Sequence, residues 1–577
     1  MSDASASADS RDFQYRWFAF GDLNGFFGIM FDNVTVLAFL AFILINIFDM
    51  PGDIVYGKIF PGTAFGVLVG DLIYTWLAFV QAKRQKRNVT AMPLGLDTPS
   101  TIGIAFTVLG PAFISYKNAG MSPHDAAMQT WYVGMACMIY CGLMKTFFSF
   151  FGNWISKVVP QAGLMGSLAG VGIALLGVVP IIEIMSAPLV GLVALGIVLY
   201  NMVAGIKLPY NMPGVFISVV VGTILYYIFG AFGLVGLDFQ MPSLSVHVGF
   251  PWPTVSFING LKDAINYLPV IIPFTILTVV GGINVTESAR LAGDEYKTHE
   301  ILLVEAFSTF VAGFCGGVAQ TTPYIGQPSF KKMGCRAGYT VLTGVFVGIC
   351  GILGIIQFIV DAVPTAALAP ILCFVGIEMV AQTFVACIPA HYPAVALAFI
   401  PNIARVIAIK GNYSEPGVFE KLIDDLMTNP TRYLDEKLVI PALGNGFIFT
   451  AMLWGAFFAL MIDRKLRESS IYLMILAILS LFGIIHSVEP SGNMYLPWNL
   501  ENNVLRAVPY QFFMGYFILS LLLLALSLTK EAQEVPEHLV GEAVTSSEEV
   551  KVEEVKTVKT EEAKAEVTAE APPCRFS

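Results

Sequence analysis

Acidic side chains lie inside long apolar stretches of this 577-residue chain, where charges are rare. They are Asp22, Asp32, Asp71, Glu183, Glu287, Glu305 and Glu378. A charge at membrane depth is costly, so such residues mark substrate paths, proton carriers or buried ion pairs. A carboxylate can accept two hydrogen bonds from a bound molecule and can also carry a proton. We therefore take these carboxylates as the first candidates for a functional site.

Two polar helix starts, 229 residues apart, share a Pro-Ser pair before a short apolar run. They are Asp97-Thr98-Pro99-Ser100 and Gly326-Gln327-Pro328-Ser329. Proline fits the first position of a helix, and a helix that begins at membrane depth must line a cavity or meet protein. Two matching copies in corresponding positions indicate the binding site of a transporter. We expect each start to follow an extended strand, and the two strands to pair with each other near the midplane.

The elements that position these residues are membrane helices, as composition requires. The chain is 56% hydrophobic and 13% charged, whereas soluble proteins carry about 25% charged residues. A spanning helix needs about 20 apolar residues. We count fourteen to sixteen apolar segments, near 25–48, 63–82, 101–115, 127–151, 160–180, 187–204, 213–235, 266–287, 301–318, 328–334, 338–360, 364–386, 391–410, 442–462, 470–488 and 506–528. No phosphate-binding loop, nucleophile elbow or zinc signature occurs, which argues against a pump and against an enzyme.

Charge patterning divides the chain into a membrane part and two ends. Basic clusters at 83–87, 331–336 and 464–467 fall on one side of the predicted topology, which places both termini in the cytoplasm. Residues 531–571 hold twelve Glu and four Lys without aromatic residues, a composition typical of disorder. The predicted division is a cytosolic segment 1–20, a transporter domain 21–465 with repeats 21–235 and 260–465, a long loop 411–441, additional membrane segments 466–529 and an acidic disordered tail 530–577.

Three short motifs resemble the nucleobase–cation symporters. Thr322-Pro323-Tyr324-Ile325-Gly326-Gln327, followed by Gly334, Arg336, Gly338 and Thr340, resembles the tenth-segment signature of the purine permease branch, the adenine, guanine and hypoxanthine permeases. Thr286-Glu287-Ser288-Ala289 is similar to the eighth-segment motif of that family, and Pro93-Leu94-Gly95-Leu96 to the start of its third segment. The resemblance covers residues 20–465. Gly326 stands where the family has a Glu, so the tenth segment lacks that carboxylate.

The resemblance implies an all-α polytopic membrane protein with the uracil-permease-like fold. In that fold two inverted repeats of seven segments, with half-helices 3 and 10, divide into a core domain and a gate domain. Substrate is held between the half-helix starts, and the core slides against the gate in an elevator-type motion. A homodimer through the gate domain is the expected assembly.

The resemblance and the residues together give a predicted site. The predicted substrate-binding residues are Glu287, Gln327, Tyr324, Thr98, Asp97 and Ser329, and the predicted proton carriers are Glu287 and Asp32. Arg290 lies three residues after Glu287 and offers it an alternative partner as an ordinary helical ion pair. Asp32-Asn33 suggests either a coupling-ion site or a helix-to-helix hydrogen bond. No metal and no cofactor are expected, and the coupling ion is H⁺ or Na⁺.

The leading hypothesis is proton-coupled import of a purine-like nucleobase or a related heteroaromatic molecule across a plasma membrane or bacterial inner membrane. The partners expected are a small-molecule substrate and the lipid bilayer, with no nucleic acid. An anion transporter of the same fold, resembling the sulfate and bicarbonate families, is the alternative. A third hypothesis is a membrane sensor that binds a ligand without moving it.

Overall fold

The structure, a computed structural model, describes residues 14–206, 208–209, 212, 214–235, 248–324, 326–411, 421, 436–489, 492–500, 503–534 and 536. The predicted cytosolic segment 1–20, the loop 411–441 and the acidic tail 530–577 therefore lie largely outside the described residues. The helices and strands of the remainder form one continuous membrane domain.

Helices make up most of the described chain. Their bounds are α1 (Gly21–Ile47), α2 (Gly52–Gln85), α3 (Thr98–Asn118), α4 (Pro123–Val158), α5 (Gln161–Ser186), α6 (Pro188–Val203), α7 (Gly214–Ala231), α8 (Leu268–Leu291), α9 (Thr298–Phe314), α10 (Gln327–Lys332), α11 (Gly338–Ile352), α12 (Ile355–Ala362), α13 (Thr365–Ala386), α14 (Tyr392–Lys410), α15 (Glu436–Gly444), α16 (Phe447–Ile462), α17 (Leu466–Leu481), α18 (Asn503–Leu526) and α19 (Lys530–Gln533). Short 3₁₀ turns flank some of them, at Ser256–Gly260 and Ile265–Tyr267 around the four-residue helix Leu261–Ala264, and at Pro389–His391 and Pro497–Asn499.

The described helices confirm a polytopic membrane protein. Ten of them are long and apolar enough to cross a bilayer, or up to twelve when the bent pairs α11–α12 and α15–α16 each count as one span. Each of these pairs bends by 83°. Lipid offers no hydrogen-bond partner to the backbone, so spanning segments must satisfy their N–H and C=O groups within a helix. Every apolar segment predicted above overlaps one of the helices α1–α18.

Two short strands interrupt the helices at the predicted positions. β1 (Leu94–Leu96) pairs antiparallel with β2 (Thr321–Pro323), and Gly95 lies opposite Thr322. The predicted strand pairing before the two Pro-Ser helix starts is therefore confirmed. The two helices that follow differ in length, because α3 continues for 21 residues while α10 ends after six.

The helices pack into two groups. Bundle A consists of α1–α4 and α8–α11, with α9 packed on α4 and α2, and α11 packed on α2 and α1. Bundle B consists of α5–α7 and α13–α16, where α5, α14 and α16 pack on one another and α13 packs on α5. The helices α17 and α18 pack on each other and join bundle B through α16. The two strands belong to bundle A and lie where it faces bundle B.

Candidate functional site

The crossing strands are held by side chains from the neighbouring helices. Asn33 of α1 accepts a hydrogen bond from the backbone N–H of Leu96 at 2.8 Å, and Asp71 of α2 accepts one from Leu94 at 3.1 Å. Asp97 follows β1 directly and caps α3, because its Oδ2 accepts a hydrogen bond from the N–H of Ser100 at 2.9 Å. Capping of this kind fixes the direction in which a helix starts. The backbone around Thr98 is therefore rigidly placed beside the strands.

A cavity of about 190 Å³ opens beside these strands, between bundle A and bundle B. One face of α8 contributes Phe274, Leu277, Thr278 and Gly281, which recur at helical spacing. Bundle B supplies one residue of α5 and one face of α13. The complete lining is Asp32, Leu96, Asp97, Thr98, Pro99, Leu168, Phe274, Leu277, Thr278, Gly281, Thr322, Pro323, Tyr324, Phe374, Val375, Glu378, Met379 and Gln382.

The cavity combines aromatic rings with negative charge. Tyr324 and Phe274 line the bundle A side, and Phe374 lines the opposite side. Among the described lining residues three are acidic and none is Lys, Arg or His. Glu378 accepts a hydrogen bond from Gln382, one turn further along α13, at 3.1 Å. Such a site suits a small planar molecule that donates hydrogen bonds, since aromatic faces stack on bases and carboxylates accept N–H groups.

The structure brings four of the predicted residues to this cavity, namely Asp32, Asp97, Thr98 and Tyr324. Successive helical residues point in directions about 100° apart, and this separates the Asp32-Asn33 pair. Asp32 lines the cavity, while Asn33 is fully buried and bonded to β1. Asn33 therefore bonds to a strand and not to another helix, and a coupling-ion role of Asp32 stays a prediction.

Glu287, a predicted substrate-binding residue, does not line the cavity. Its side chain is 50% exposed and forms an ion pair with Arg290, with two hydrogen bonds between the guanidinium and the carboxylate. Glu287 lies near the end of α8, six residues or about 1.7 turns beyond Gly281, the last residue of this helix in the lining, and is not itself part of the lining. The i,i+3 pairing is visible in the sequence, and in this structure it takes the place of the predicted contact with substrate.

Gln327 and Ser329, which were also predicted to bind substrate, do not line the cavity either. Gln327 is buried away from the cavity, and its Nε2 donates hydrogen bonds to Asp294 Oδ2 at 2.8 Å and to the Thr90 carbonyl at 3.4 Å. Ser329 is exposed and is not part of the lining. The short α10 is therefore anchored to the connection between α8 and α9, and only the start of α3 faces the cavity.

The anchor is Asp294, which the sequence reasoning missed. This fully buried carboxylate also forms an ion pair with Lys331 Nζ at 2.8 Å and with Arg87 Nη1 at 3.4 Å, and accepts a hydrogen bond from the N–H of Thr90 at 3.2 Å. Burial, together with the charge of Asp294, raises the pKa of the neighbouring Tyr296 well above its ordinary value. The sequence signal was the acidic pair Asp294-Glu295 in the connection between α8 and α9, which could face the predicted basic clusters.

A second buried ion pair, between α4 and α9, supports strand β2. Lys145 of α4 and Glu305 of α9 are both fully buried, with Lys145 Nζ 2.8 Å from Glu305 Oε1. Lys145 also donates a hydrogen bond to the carbonyl of Thr321 in β2 at 2.8 Å. Two of the acidic residues within apolar segments, Asp71 and Glu305, thus have partners inside bundle A and do not line the cavity.

Glu378 and Gln382 are the functional candidates that sequence reasoning did not place in the site. Glu378 stood out as an acid within an apolar segment, but it was not among the predicted substrate-binding or proton-carrying residues. The lining face of α13 carries both residues together with Phe374 and Met379. Apolar residues occur on every side of α13. The pattern of its sequence therefore does not indicate which face of the helix meets the cavity.

The sequence of this chain is similar to that of one curated permease. No family model matches the chain. The adenine permease AdeP of Escherichia coli (strain K12) is 27% identical over 338 residues, which are 54% of this chain and 73% of AdeP. The chain is therefore similar in sequence to a nucleobase permease over about half of its length. The resemblance predicted from the motifs is therefore confirmed.

Solved structures of membrane transporters are also similar. The transmembrane domain of the cyanobacterial bicarbonate transporter BicA has a TM-score of 0.43 at 14% identity, covering 68% of this chain and 98% of that one. SLC26A9 has a TM-score of 0.47 at 12% identity, covering 71% and 66%. Murine Slc26a9 in an inward-facing state has a TM-score of 0.44 at 11% identity. At these scores the likeness carries no information about the substrate. The permease relative and the many apolar helices describe a multi-pass membrane transporter.

Proposed function

We propose that this divergent permease is a secondary active transporter of a purine-like nucleobase, and that the cavity between bundles A and B is its substrate site. The observation that carries the proposal is the lining itself, in which aromatic rings and three carboxylates meet at the strand crossing. The cavity, at about 190 Å³, is smaller than the pockets of drug-sized ligands, which measure about 300–1,000 Å³. A single heteroaromatic base is a ligand of matching size and chemistry.

Each side of a bound base would meet a different group. Tyr324 and Phe274 would stack on its faces, and Glu378 and Asp97 would accept its N–H groups. Asp97 already uses Oδ2 to cap α3, which leaves Oδ1 for the substrate. Gln382 holds Glu378 in place through the bond between them. A base held between both bundles would be released when the bundles move relative to each other.

Proton coupling is assigned to Asp32 and Glu378. The two carboxylates line one small cavity from different bundles, and like charges in a poorly solvated site repel strongly. Binding of one proton removes this repulsion, which links protonation to the relative position of the bundles. The uracil-permease arrangement, with bundle A as the moving core, bundle B as the gate and a homodimer through bundle B, is part of this proposal.

The same lining distinguishes the anion alternative. The start of α3 faces the cavity and would attract an anion through its free N–H groups. However, Asp97 already fills one of these positions with its own negative charge, and Asp32 and Glu378 add two more carboxylates. An anion would enter against all three charges. The geometry therefore favours a neutral substrate that donates hydrogen bonds.

The test is a competition assay on the purified protein in proteoliposomes. Uptake of radiolabelled adenine is measured with unlabelled adenine, guanine, hypoxanthine, xanthine, uracil, sulfate and bicarbonate as competitors, with an inward proton gradient. We expect purines to compete and both anions to be without effect. Uptake of labelled sulfate or bicarbonate, with no purine competing, would replace the proposal by the anion alternative.

Coupling is tested by comparing two modes of transport. In Glu378→Gln, accumulation of the base against its gradient should be lost, whereas exchange of labelled for unlabelled base should continue. Glu287→Gln, the same exchange at a half-exposed acid outside the cavity, is the matched control and should retain accumulation. Proton-driven accumulation that persists in Glu378→Gln would remove Glu378 from the coupling mechanism.

A further inference from the structure

We propose that the ammonium group of Lys145 is a built-in cation, which occupies a cation site of bundle A that a Na⁺ ion would otherwise fill. Transport by this chain would consequently need no Na⁺. The statement about transport rests on the proposed function. The statement about the site itself does not.

The groups around Lys145 Nζ are all oxygens. They are the Glu305 carboxylate at 2.8 Å, the Thr321 carbonyl at 2.8 Å and the Thr309 hydroxyl at 3.4 Å. Two more hydroxyls lie in the next layer, since Thr321 Oγ1 is 3.1 Å from Thr309 Oγ1 and 3.0 Å from Ser308 Oγ. Carboxylate, backbone carbonyl and hydroxyl oxygens are the ligands that hard metal cations prefer. The ammonium thus has a metal-like ligand set.

The site is closed and it is charge-balanced. Lys145, Glu305, Ser308, Thr309 and Thr321 are all fully buried. An ionised carboxylate that is buried without a counter-charge is strongly destabilising, and Lys145 supplies that counter-charge to Glu305. The amine is tethered by α4 and is always present, whereas a free ion would bind only at sufficient concentration.

Its location connects this site to the substrate cavity. Thr321, whose carbonyl contacts Lys145, begins β2, and the next residues Thr322, Pro323 and Tyr324 line the cavity. Unwound backbone carbonyls at the crossing point of two repeats commonly coordinate coupling ions in transporters. A permanent cation here would keep β2 in its binding position in every step, which leaves protons at the cavity as the coupling ion.

The experiment is a cation titration of protein stability that needs no substrate. The melting temperatures of wild type, Lys145→Ala and the double variant Lys145→Ala/Glu305→Gln are measured in NaCl, KCl and choline chloride at constant ionic strength. Wild type should melt at the same temperature in all three salts. Lys145→Ala should melt lower in KCl and choline chloride, and NaCl should raise it saturably by about 3 °C or more. The double variant should lose this response, because the carboxylate is neutralised. Lys83→Ala, at an exposed lysine near the end of α2, is the matched control.

Three results would overturn the proposal. They are a saturable Na⁺-specific stabilisation of wild type, equal melting of Lys145→Ala in Na⁺ and K⁺, and a Na⁺ response that persists in the double variant. If Lys145→Ala cannot be produced as folded protein, the cation titration of wild type decides whether a Na⁺ site exists in the native protein. Adenine uptake in NaCl against choline chloride is a separate arm, and wild-type uptake should be equal in both. A failure of uptake in both salts would count against the proposed function and not against the cation site.

Discussion

Gly281 offers the sharpest perturbation of the proposed substrate site. It lines the cavity on α8, and a β-carbon built at this position meets no atom within 4 Å. Gly281→Leu therefore adds four carbon atoms at the cavity wall, of which the first, the β-carbon, has room to be accommodated. The helix itself should tolerate the change, since replacing a glycine in the interior of a helix by alanine stabilises the helix by about 0.5–1 kcal/mol.

The expected loss is confined to substrate binding. Inserting carbons into a filled, well-packed space costs about 1–3 kcal/mol, which corresponds to an affinity loss of about 5- to 150-fold. Equilibrium binding of labelled adenine to the purified protein should show this loss for Gly281→Leu and a smaller one for Gly281→Ala. The melting temperature should stay equal to that of wild type or rise slightly in both variants.

Two other glycines serve as controls. A β-carbon added to Gly196 of α6 would likewise meet no atom within 4 Å, but this residue lies outside the cavity, so Gly196→Leu should bind substrate normally. Gly282 is packed against α9, where its β-carbon would lie 2.6 Å from Leu302 Cδ2, so Gly282→Ala should lower the melting temperature. Unchanged adenine affinity in Gly281→Leu would refute the assignment of this cavity as the substrate site.

Further predictions concern individual contacts. Tyr324→Ala should weaken adenine binding by about 5- to 150-fold, because stacking on an aromatic ring contributes about 1–3 kcal/mol per base. Tyr200→Ala, at an exposed tyrosine of α6, should leave adenine binding unchanged. Equal adenine affinities of the two variants would contradict stacking on Tyr324. Glu287→Gln should leave adenine affinity and proton-driven accumulation unchanged, because the side chain is half exposed and paired with Arg290; loss of accumulation would restore Glu287 to the coupling mechanism. Asp294→Ala should destabilise the protein by about 1–3 kcal/mol, since the buried N–H of Thr90 and the buried amide of Gln327 lose their acceptor. An unchanged melting temperature would show that α10 is held by other contacts.

Local rules predicted the framework of this protein well. Long apolar runs gave the helices, and the two Pro-Ser helix starts indicated the strands and their pairing, which the register Leu94 to Pro323 confirms. These features depend on neighbouring residues and on the lipid environment, both of which can be read along the chain. The placement of Asp97 and Thr98 followed directly from them.

The residues that face the cavity were harder to predict. In α13 the flanking residues are apolar on every side, so periodicity cannot say which way Glu378 points. Gln327 was placed wrongly because its partner Asp294 is 33 residues away in sequence and meets it only in the folded protein. Helices surrounded by lipid on one side and protein on the other lack the polar face that identifies orientation in soluble proteins.

The central claim is that a nucleobase binds between Tyr324 and the α13 face that carries Glu378. A structure of the protein determined by electron cryomicroscopy with saturating adenine tests this most directly. The account predicts planar density within the cavity, stacked on Tyr324, with Glu378 or Asp97 within hydrogen-bond distance of a base nitrogen. Base density beside Glu287 and Arg290, or bound anion in place of the base at the start of α3, would contradict it.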